Sequence, residues 1–131
     1  MPEPVFNALL MADKVITEDN GKKAVIGIFD RLNFPAVPAV APPWFVYASF
    51  ANLDQQNEVT VNIARKESQE VVFSAQGAIQ APRASGIAEI LLPVPPIKFN
   101  RAGKYIVAFI LNGREVASRV LDVAVIGETS T

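Results

Sequence analysis

The sequence contains neither cysteine nor histidine. Without cysteine there are no disulfides, thiolate metal sites, iron–sulfur clusters or cysteine nucleophiles. Without histidine there is no Ser-His-Asp or Cys-His catalytic system, and together the two absences remove the usual ligands of zinc. A mechanism that uses carboxylates alone is the one enzymatic route left open. We therefore expect no enzyme and no cofactor.

Charge is sparse and balanced along the chain. The 131 residues include 12 Lys and Arg against 13 Asp and Glu, which gives a formal net charge of −1. A protein that binds the phosphate backbone needs a clustered positive surface, and no run of three basic residues occurs here. The sequence therefore argues against nucleic acid as a partner.

Long apolar runs are missing as well. A helix that spans a bilayer needs ~20 apolar residues, and the best candidate, residues 87–97, is interrupted by Glu89, Pro93, Pro95 and Pro96. The first residues carry neither the basic nor the apolar region of a secretory signal. We expect a cytoplasmic protein with no membrane span.

The residues that are present suit a packed β-domain. Half of the sequence is hydrophobic, and 10 Pro and 7 Gly divide it into short segments. These segments are rich in Val, Ile, Phe and Ala and show no helical stripe, which is typical of strands. We predict a single domain over residues 1–126, followed by a flexible tail at 127–131.

The predicted strands follow from alternation and turn signals. Asn20-Gly21 and Asn112-Gly113 each favour a tight hairpin turn, because both residue types accept positive φ. Residues 76–84 are predicted to form a loop. Pro93 is expected to end the strand at residues 86–92. The predicted strands are residues 5–17, 23–29, 44–52, 58–65, 70–75, 86–92, 105–111 and 114–125, and a short helical or irregular stretch at residues 9–12 is the alternative for the start of the first. This pattern predicts an all-β, antiparallel β-sandwich of about seven to eight strands, immunoglobulin-like or C2-like.

Two groups of residues carry a resemblance to a known family. The first is an "ALLAD…GK…IGIFD" opening, which corresponds here to residues 8–13, 15–17, 21–23 and 26–30. The second is the late pattern of Phe99, Gly103, Tyr105 and Gly113. Together they resemble a family of short bacterial proteins known only as a domain of unknown function. The resemblance implies a compact β-sandwich of prokaryotic or phage origin and carries over no catalytic residue.

The candidate site lies in an apolar, proline-rich connection. A loop of this composition either packs over the end of the sandwich or docks a partner. The residues assigned to partner binding are Phe34, Pro35, Val37, Pro38, Val40 and Trp44. The function expected from them is protein–protein contact in a bacterial or phage assembly, with either an unidentified partner or further copies of the chain.

A small-ligand binder is the alternative. Trp44, Phe45 and Tyr47 are able to stack on a sugar ring or on a partner, or else to fill the core. Asp19, with Glu18 and Asn20 beside it, offers oxygen ligands for a calcium and lipid site, although no Asp-x-Asp pair occurs. Glu89 is flanked by apolar residues, but alternation places it toward water, with Ala88 and Ile90 inward.

Overall fold

The computed structural model describes residues 5–53, 56–80 and 87–126, and every regular element in them is a β-strand. None of these described segments forms a helix that could cross a membrane. The strands are β1 (Val5–Thr17), β2 (Lys23–Phe29), β3 (Arg31–Phe34), β4 (Ala39–Val40), β5 (Trp44–Ala51), β6 (Gln56–Arg65), β7 (Val71–Gln80), β8 (Ala88–Val94), β9 (Lys98–Phe99), β10 (Gly103–Leu111) and β11 (Arg114–Val125). The fold is an all-β sandwich, as predicted.

One layer is a four-stranded antiparallel sheet, sheet A, with the strand order β2-β1-β5-β8. The predicted Asn20-Gly21 turn joins β1 to β2. The Asn20 side-chain oxygen accepts a hydrogen bond from the Lys22 backbone N–H at 3.0 Å, and Gly21 has a φ of +87°. This turn explains why β1 and β2 have the bounds that the sequence predicted.

The other layer is a five-stranded sheet, sheet B, with the order β3-β11-β10-β6-β7. Its β10–β11 hairpin turns at Asn112 and Gly113, both with positive φ, as predicted. One pair departs from the otherwise antiparallel arrangement, because β3 runs parallel to β11. Only Asp30 separates β2 from β3, so the chain passes from sheet A to sheet B without a reversing turn.

The core lies between the two sheets and is almost entirely apolar. Strand β5 shows why: its residues alternate strictly between buried and half-buried positions, as expected for a strand with one face on the core. Phe50 of sheet A meets Phe109 of sheet B with ring centroids 5.6 Å apart. The buried polar residue Asn57 accepts a hydrogen bond from the Asn112 side-chain nitrogen at 3.1 Å, which satisfies its oxygen.

The proline-rich connection is more ordered than the sequence predicted. It contributes β3 and β4, and β4 pairs with the short strand β9 in a small sheet of its own. The Ala41 backbone N–H donates to the Ile97 carbonyl at 2.9 Å, and Phe34 packs against Phe99. These three short strands account for the difference between the predicted seven to eight strands and the eleven in the described residues.

Strands β7 and β8 both run past the ends predicted for them. Residues 76–80 continue β7 instead of forming a loop, because β6 runs long enough to pair with them as far as Gln56–Gln80. Residues 81–84 of the predicted loop lie outside the described residues. Strand β8 does not end at Pro93, which pairs opposite Phe45. Proline is tolerated there because β8 is the edge strand of sheet A and one side of its backbone needs no partner. The predicted tail at 127–131 lies outside the described residues.

A tyrosine fixes the start of β10. The Tyr105 side chain is 1% exposed, and its hydroxyl donates to the Arg101 carbonyl at 2.6 Å. A buried tyrosine that bonds to the backbone just upstream is a feature of immunoglobulin-like sandwiches. Of the two predicted subtypes, this contact favours the immunoglobulin-like one.

Candidate functional site

The outer face of sheet A is rich in apolar side chains. Successive side chains of a strand point to opposite faces, so the inward positions of β1 and β5 identify the outward ones. We call this surface face A, and its large apolar members are Leu10, Ile16, Ile26, Ile28, Phe45, Tyr47, Leu91 and Pro93.

Adjacent strands place these side chains side by side. Ala12 of β1 lies opposite both Ile28 and Phe45, and in the next row Leu10 lies opposite Tyr47. Ala12 is 0% exposed but does not belong to the core cluster. Its larger neighbours on face A therefore cover it. The face is a continuous apolar layer across β2, β1, β5 and β8.

The exposure of this layer departs from that of an ordinary antiparallel sheet, whose outer face is polar. Ile28 is 54% exposed, Ile26 47%, Ile16 46% and Leu91 39%. Single exposed apolar residues need no explanation, whereas a contiguous apolar patch requires one. Face A is such a patch.

Two charged residues flank the apolar centre of face A. They are Lys14 on β1 and Glu89 on β8, and both are exposed. The Tyr47 hydroxyl donates a hydrogen bond to the Glu89 carboxylate, which holds the carboxylate beside the aromatic ring. Partial burial first, and the contact with Glu89 second, raise the pKa of Tyr47 to about 12. The hydroxyl is therefore neutral, and remains a donor, at physiological pH.

The residues that the sequence assigned to partner binding fall into a buried group and a group nearer the surface. Phe34 and Trp44 lie in the core, with 8% and 2% of their surface exposed. Trp44 packs against Phe29 with ring centroids 5.3 Å apart. Their side chains fill the sandwich and are not available to a partner, so the core interpretation of Trp44 is the right one.

The other four residues of that assignment lie nearer the surface. Val37 is half-buried, Pro35 and Pro38 are exposed, and Val40 is 62% exposed. They form a narrow strip of loop and short strand. Nothing in the structure tests their role, and partner binding through them stays a prediction.

Sequence reasoning missed most of face A. It singled out Phe45 and Tyr47 as possible stacking residues, and the structure places both on this face. It assigned no role to Ile26 and Ile28, although Ile-Gly-Ile on a short strand after a hairpin puts two isoleucines on one side. These two isoleucines become part of a larger apolar face only through the register of β2 with β1, and the sequence alone does not reveal that register.

The carboxylates weighed for calcium or catalysis do not converge. In the described part of the chain, no three side chains from Asp and Glu gather closely enough to hold a metal ion. Asn20, considered with Asp19 and Glu18, is used by the turn between β1 and β2. Glu89 faces outward with Ala88 buried, as predicted.

An apolar cleft opens between the edges of the two sheets. It measures about 120 Å³, and its lining includes Val59 and Val61 of β6, Ile79 of β7, and Ile90 and Leu92 of β8. Sites for organic ligands usually occupy ~300–1,000 Å³. The cleft is therefore too small to enclose a sugar or an acyl chain.

A larger recess lies beside the β6–β7 turn, and polar residues line it. Its volume is about 350 Å³, and Arg65, Lys66 and Lys104 contribute positive charge. The Arg65 guanidinium, however, donates to the Ala102 carbonyl at 3.2 Å and lies 3.7 Å from the Glu67 carboxylate. Arg65 thus fastens the loop before β10, which is a structural role.

Comparison with solved structures gives distant likenesses. A β-glucosidase from Listeria innocua in complex with isofagomine matches 94% of this chain at 11% identity with a TM-score of 0.48, and 16% of that chain is covered. The Pseudomonas fluorescens alkylpurine DNA glycosylase AlkC, bound to DNA containing an abasic site analog, matches 72% of this chain at 10% identity with a TM-score of 0.41, and 27% of it is covered. Scores this low support no argument about function.

The remaining comparisons concern sequence. A search of curated proteins gave no match. A family model matches residues 7–124, which include the whole "ALLAD…GK…IGIFD" opening from Ala8 onward and the late Phe99-to-Gly113 pattern. The match confirms the resemblance to a domain of unknown function. The chain therefore belongs to the family of unknown function DUF6941.

Proposed function

We propose that the protein is a non-catalytic β-sandwich module that binds another protein surface through face A. The observation that carries this proposal is the contiguous apolar layer across four strands, with Ile28, Ile26 and Leu91 substantially exposed. The wider setting is a cytoplasmic bacterial or phage assembly, as expected from the sequence and the family resemblance.

The composition of face A resembles the centre of a protein interface. Such centres are depleted in charge and enriched in aromatic residues, which contribute much of the binding energy. Phe45 and Tyr47 both lie on β5, one of the two inner strands of sheet A. The charged Lys14 and Glu89 lie toward opposite ends of face A. An apolar centre with charges at its rim suits a partner of the same size and flatness.

A protein partner suits this surface better than a small ligand. Ligand sites are concave and bury most of the ligand, whereas face A is the broad side of a sheet. Concave features elsewhere in the described residues include the small apolar cleft, the recess beside Arg65 and an open recess of about 370 Å³ along β6 and β7. A flat apolar sheet face gains from burial only when a similarly broad surface covers it.

The test is affinity purification from native cells that have been chemically cross-linked, so that weak partners are retained, with a tagged chain in the presence of its untagged copy. Ile28→Asp is compared with Val71→Asp, because both side chains are 54% exposed and only Ile28 lies on face A. Any partner that uses face A, including the untagged copy, is expected to be captured by the wild type and by Val71→Asp.

The same partner is expected to be lost from Ile28→Asp by at least about tenfold, since a charge is then buried against an apolar surface. Circular dichroism melts of all three proteins verify that each is folded. If wild type and both variants retain the same proteins in the same amounts, face A is not a binding surface and the proposal fails.

A further inference from the structure

We propose that the surface covering face A is face A of a second copy of the same chain, so that the protein forms a two-fold symmetric dimer. This inference rests on the proposed function of face A and names the partner. Its argument is the arrangement of charge and aromatic residues within the face.

Lys14 and Glu89 are the charged residues among the described outward positions of sheet A. Ala8, Ser49 and Glu89 share one row of the sheet, and Lys14 lies six residues from Ala8 along β1 and two strands from Glu89. With ~4.8 Å between strands and ~3.4 Å per residue, the two positions lie about 22 Å apart.

The point midway between these charges lies on β5, the strand between β1 and β8. In the register of the sheet, that point falls between Phe45 and Tyr47. The aromatic pair is therefore the centre of the face, and the backbone positions of Lys14 and Glu89 lie at equal distances on either side of it.

This arrangement is complementary to itself. In a two-fold dimer the same patch contacts its own copy. A two-fold axis that lies in the plane of face A, passes through the Phe45–Tyr47 centre and runs perpendicular to the line joining the charges exchanges the two ends. Lys14 of each copy then meets Glu89 of the other, while the aromatic centres stack on one another.

The size of the face predicts the strength of the dimer. Four strands and the distance between the charged rows define an area of roughly 400 Å² per copy, or about 800 Å² for the pair. Interfaces below ~1,200 Å² in total are weak and transient. We therefore expect a dimer that dissociates on dilution, with a Kd on the order of 10 µM or higher.

The experiment is sedimentation equilibrium of the purified chain from about 1 to 500 µM at low salt. Wild type is expected to shift from monomer to dimer with concentration. Lys14→Glu and Glu89→Lys alone are each expected to raise the Kd at least about tenfold, because each places like charges together twice per dimer. The matched controls are Lys98→Glu and Glu115→Lys, which make the same charge changes at exposed positions outside face A.

An equimolar mixture of Lys14→Glu and Glu89→Lys provides the decisive result. Each variant has one sign of charge at both ends of face A, so a mixed dimer contains two attractive pairs, and association is expected to return to near the wild-type level. The double variant Lys14→Glu/Glu89→Lys is expected to dimerise with itself for the same reason.

Two results would overturn the inference. One is a wild type that stays monomeric up to about 500 µM. The other is a dimer that neither single exchange weakens, since that dimer would use another surface. Neither result decides the proposed function, because the cell purification with Ile28→Asp and Val71→Asp reports any protein on face A, whether or not it is this chain.

Discussion

The carboxylate of Asp13 on β1 lies directly over the backbone of Gly27 on β2. A Cβ built on Gly27 would be 2.5 Å from an Asp13 carboxylate oxygen, and Gly27 has a φ of +73°. The "ALLAD" and "IGIFD" parts of the opening motif meet at this contact. Glycine at position 27 thus has two physical causes: a left-handed backbone and a side chain above it that leaves no room.

We expect Gly27→Ala to reduce the free energy of unfolding by about 1–3 kcal/mol. The left-handed conformation alone costs an L-residue ~1–2 kcal/mol, and the contact with Asp13 adds to it. Urea unfolding measures the loss. The double variant Asp13→Ala/Gly27→Ala is expected to recover only the part that comes from the contact.

Gly77→Ala is the control for this change. Gly77 lies in β7 with ordinary φ, and a Cβ there would meet nothing within 4 Å. Replacing it should leave stability unchanged or raise it by up to ~1 kcal/mol, because alanine reduces the entropy of the unfolded chain. Equal losses at positions 27 and 77 would contradict our account of the Asp13 contact.

The hydrogen bond from Tyr105 to the Arg101 carbonyl predicts a second stability effect. Tyr105→Phe keeps the buried ring but removes the donor, so the free energy of unfolding should fall by ~1–2 kcal/mol. Tyr47→Phe makes the same chemical change on the exposed face A and should cost no more than ~0.5 kcal/mol. Guanidinium unfolding of both variants tests the difference, and a larger loss at Tyr47 would contradict it.

The tyrosines also predict how stability depends on alkaline pH. The pKa of Tyr47 is raised to about 12 and that of Tyr105 is raised as well, in both cases mainly by burial. Between the usual tyrosine pKa of ~10 and the raised pKa of each folded tyrosine, the unfolded chain has lost protons that the folded chain retains. Stability should therefore be fully present below about pH 10 and decline as the pH rises toward 12.

Ultraviolet absorbance of ionised tyrosine follows this titration directly. Tyr47→Phe should remove the transition near pH 12 and leave a transition from Tyr105, also above the pH expected for free tyrosine. The alkaline loss of stability should become smaller in this variant. A wild-type protein in which a tyrosine titrates near pH 10 while still folded would contradict the contacts described for these two residues.

Much of the fold was predictable because local chemistry determines it. The Asn20-Gly21 and Asn112-Gly113 turns fix two hairpins, and the bounds of β1, β2 and β11 in the structure agree with those predicted from sequence. Short strands β3, β4 and β9 were missed because each is held by a partner distant in sequence. The proline content of these segments does not predict whether they form strands, because their strand structure comes from tertiary contacts.

The candidate site was less predictable for a related reason. Phe34 and Trp44 are apolar residues in a proline-rich segment, and only the packing of Phe34 on Phe99 and of Trp44 on Phe29 shows that they belong to the core. Face A depends on the register of four strands, two of which are separated by most of the chain. Alternation identifies two faces for each strand but does not say which faces lie together.

The two candidate surfaces make opposite predictions for Val40→Asp. Val40 is the most exposed of the large hydrophobic side chains in the described residues, at 62%, and it belongs to the proline-rich candidate site. If face A is the interface, this change leaves association unchanged, because Val40 lies on β4, outside the four strands of face A. Leu91→Asp, on face A, should abolish association, as the new carboxylate is desolvated beside Tyr47 and Glu89. Sedimentation of both variants at about 200 µM measures this, and loss of association in Val40→Asp alone would move the interface to the proline-rich strip.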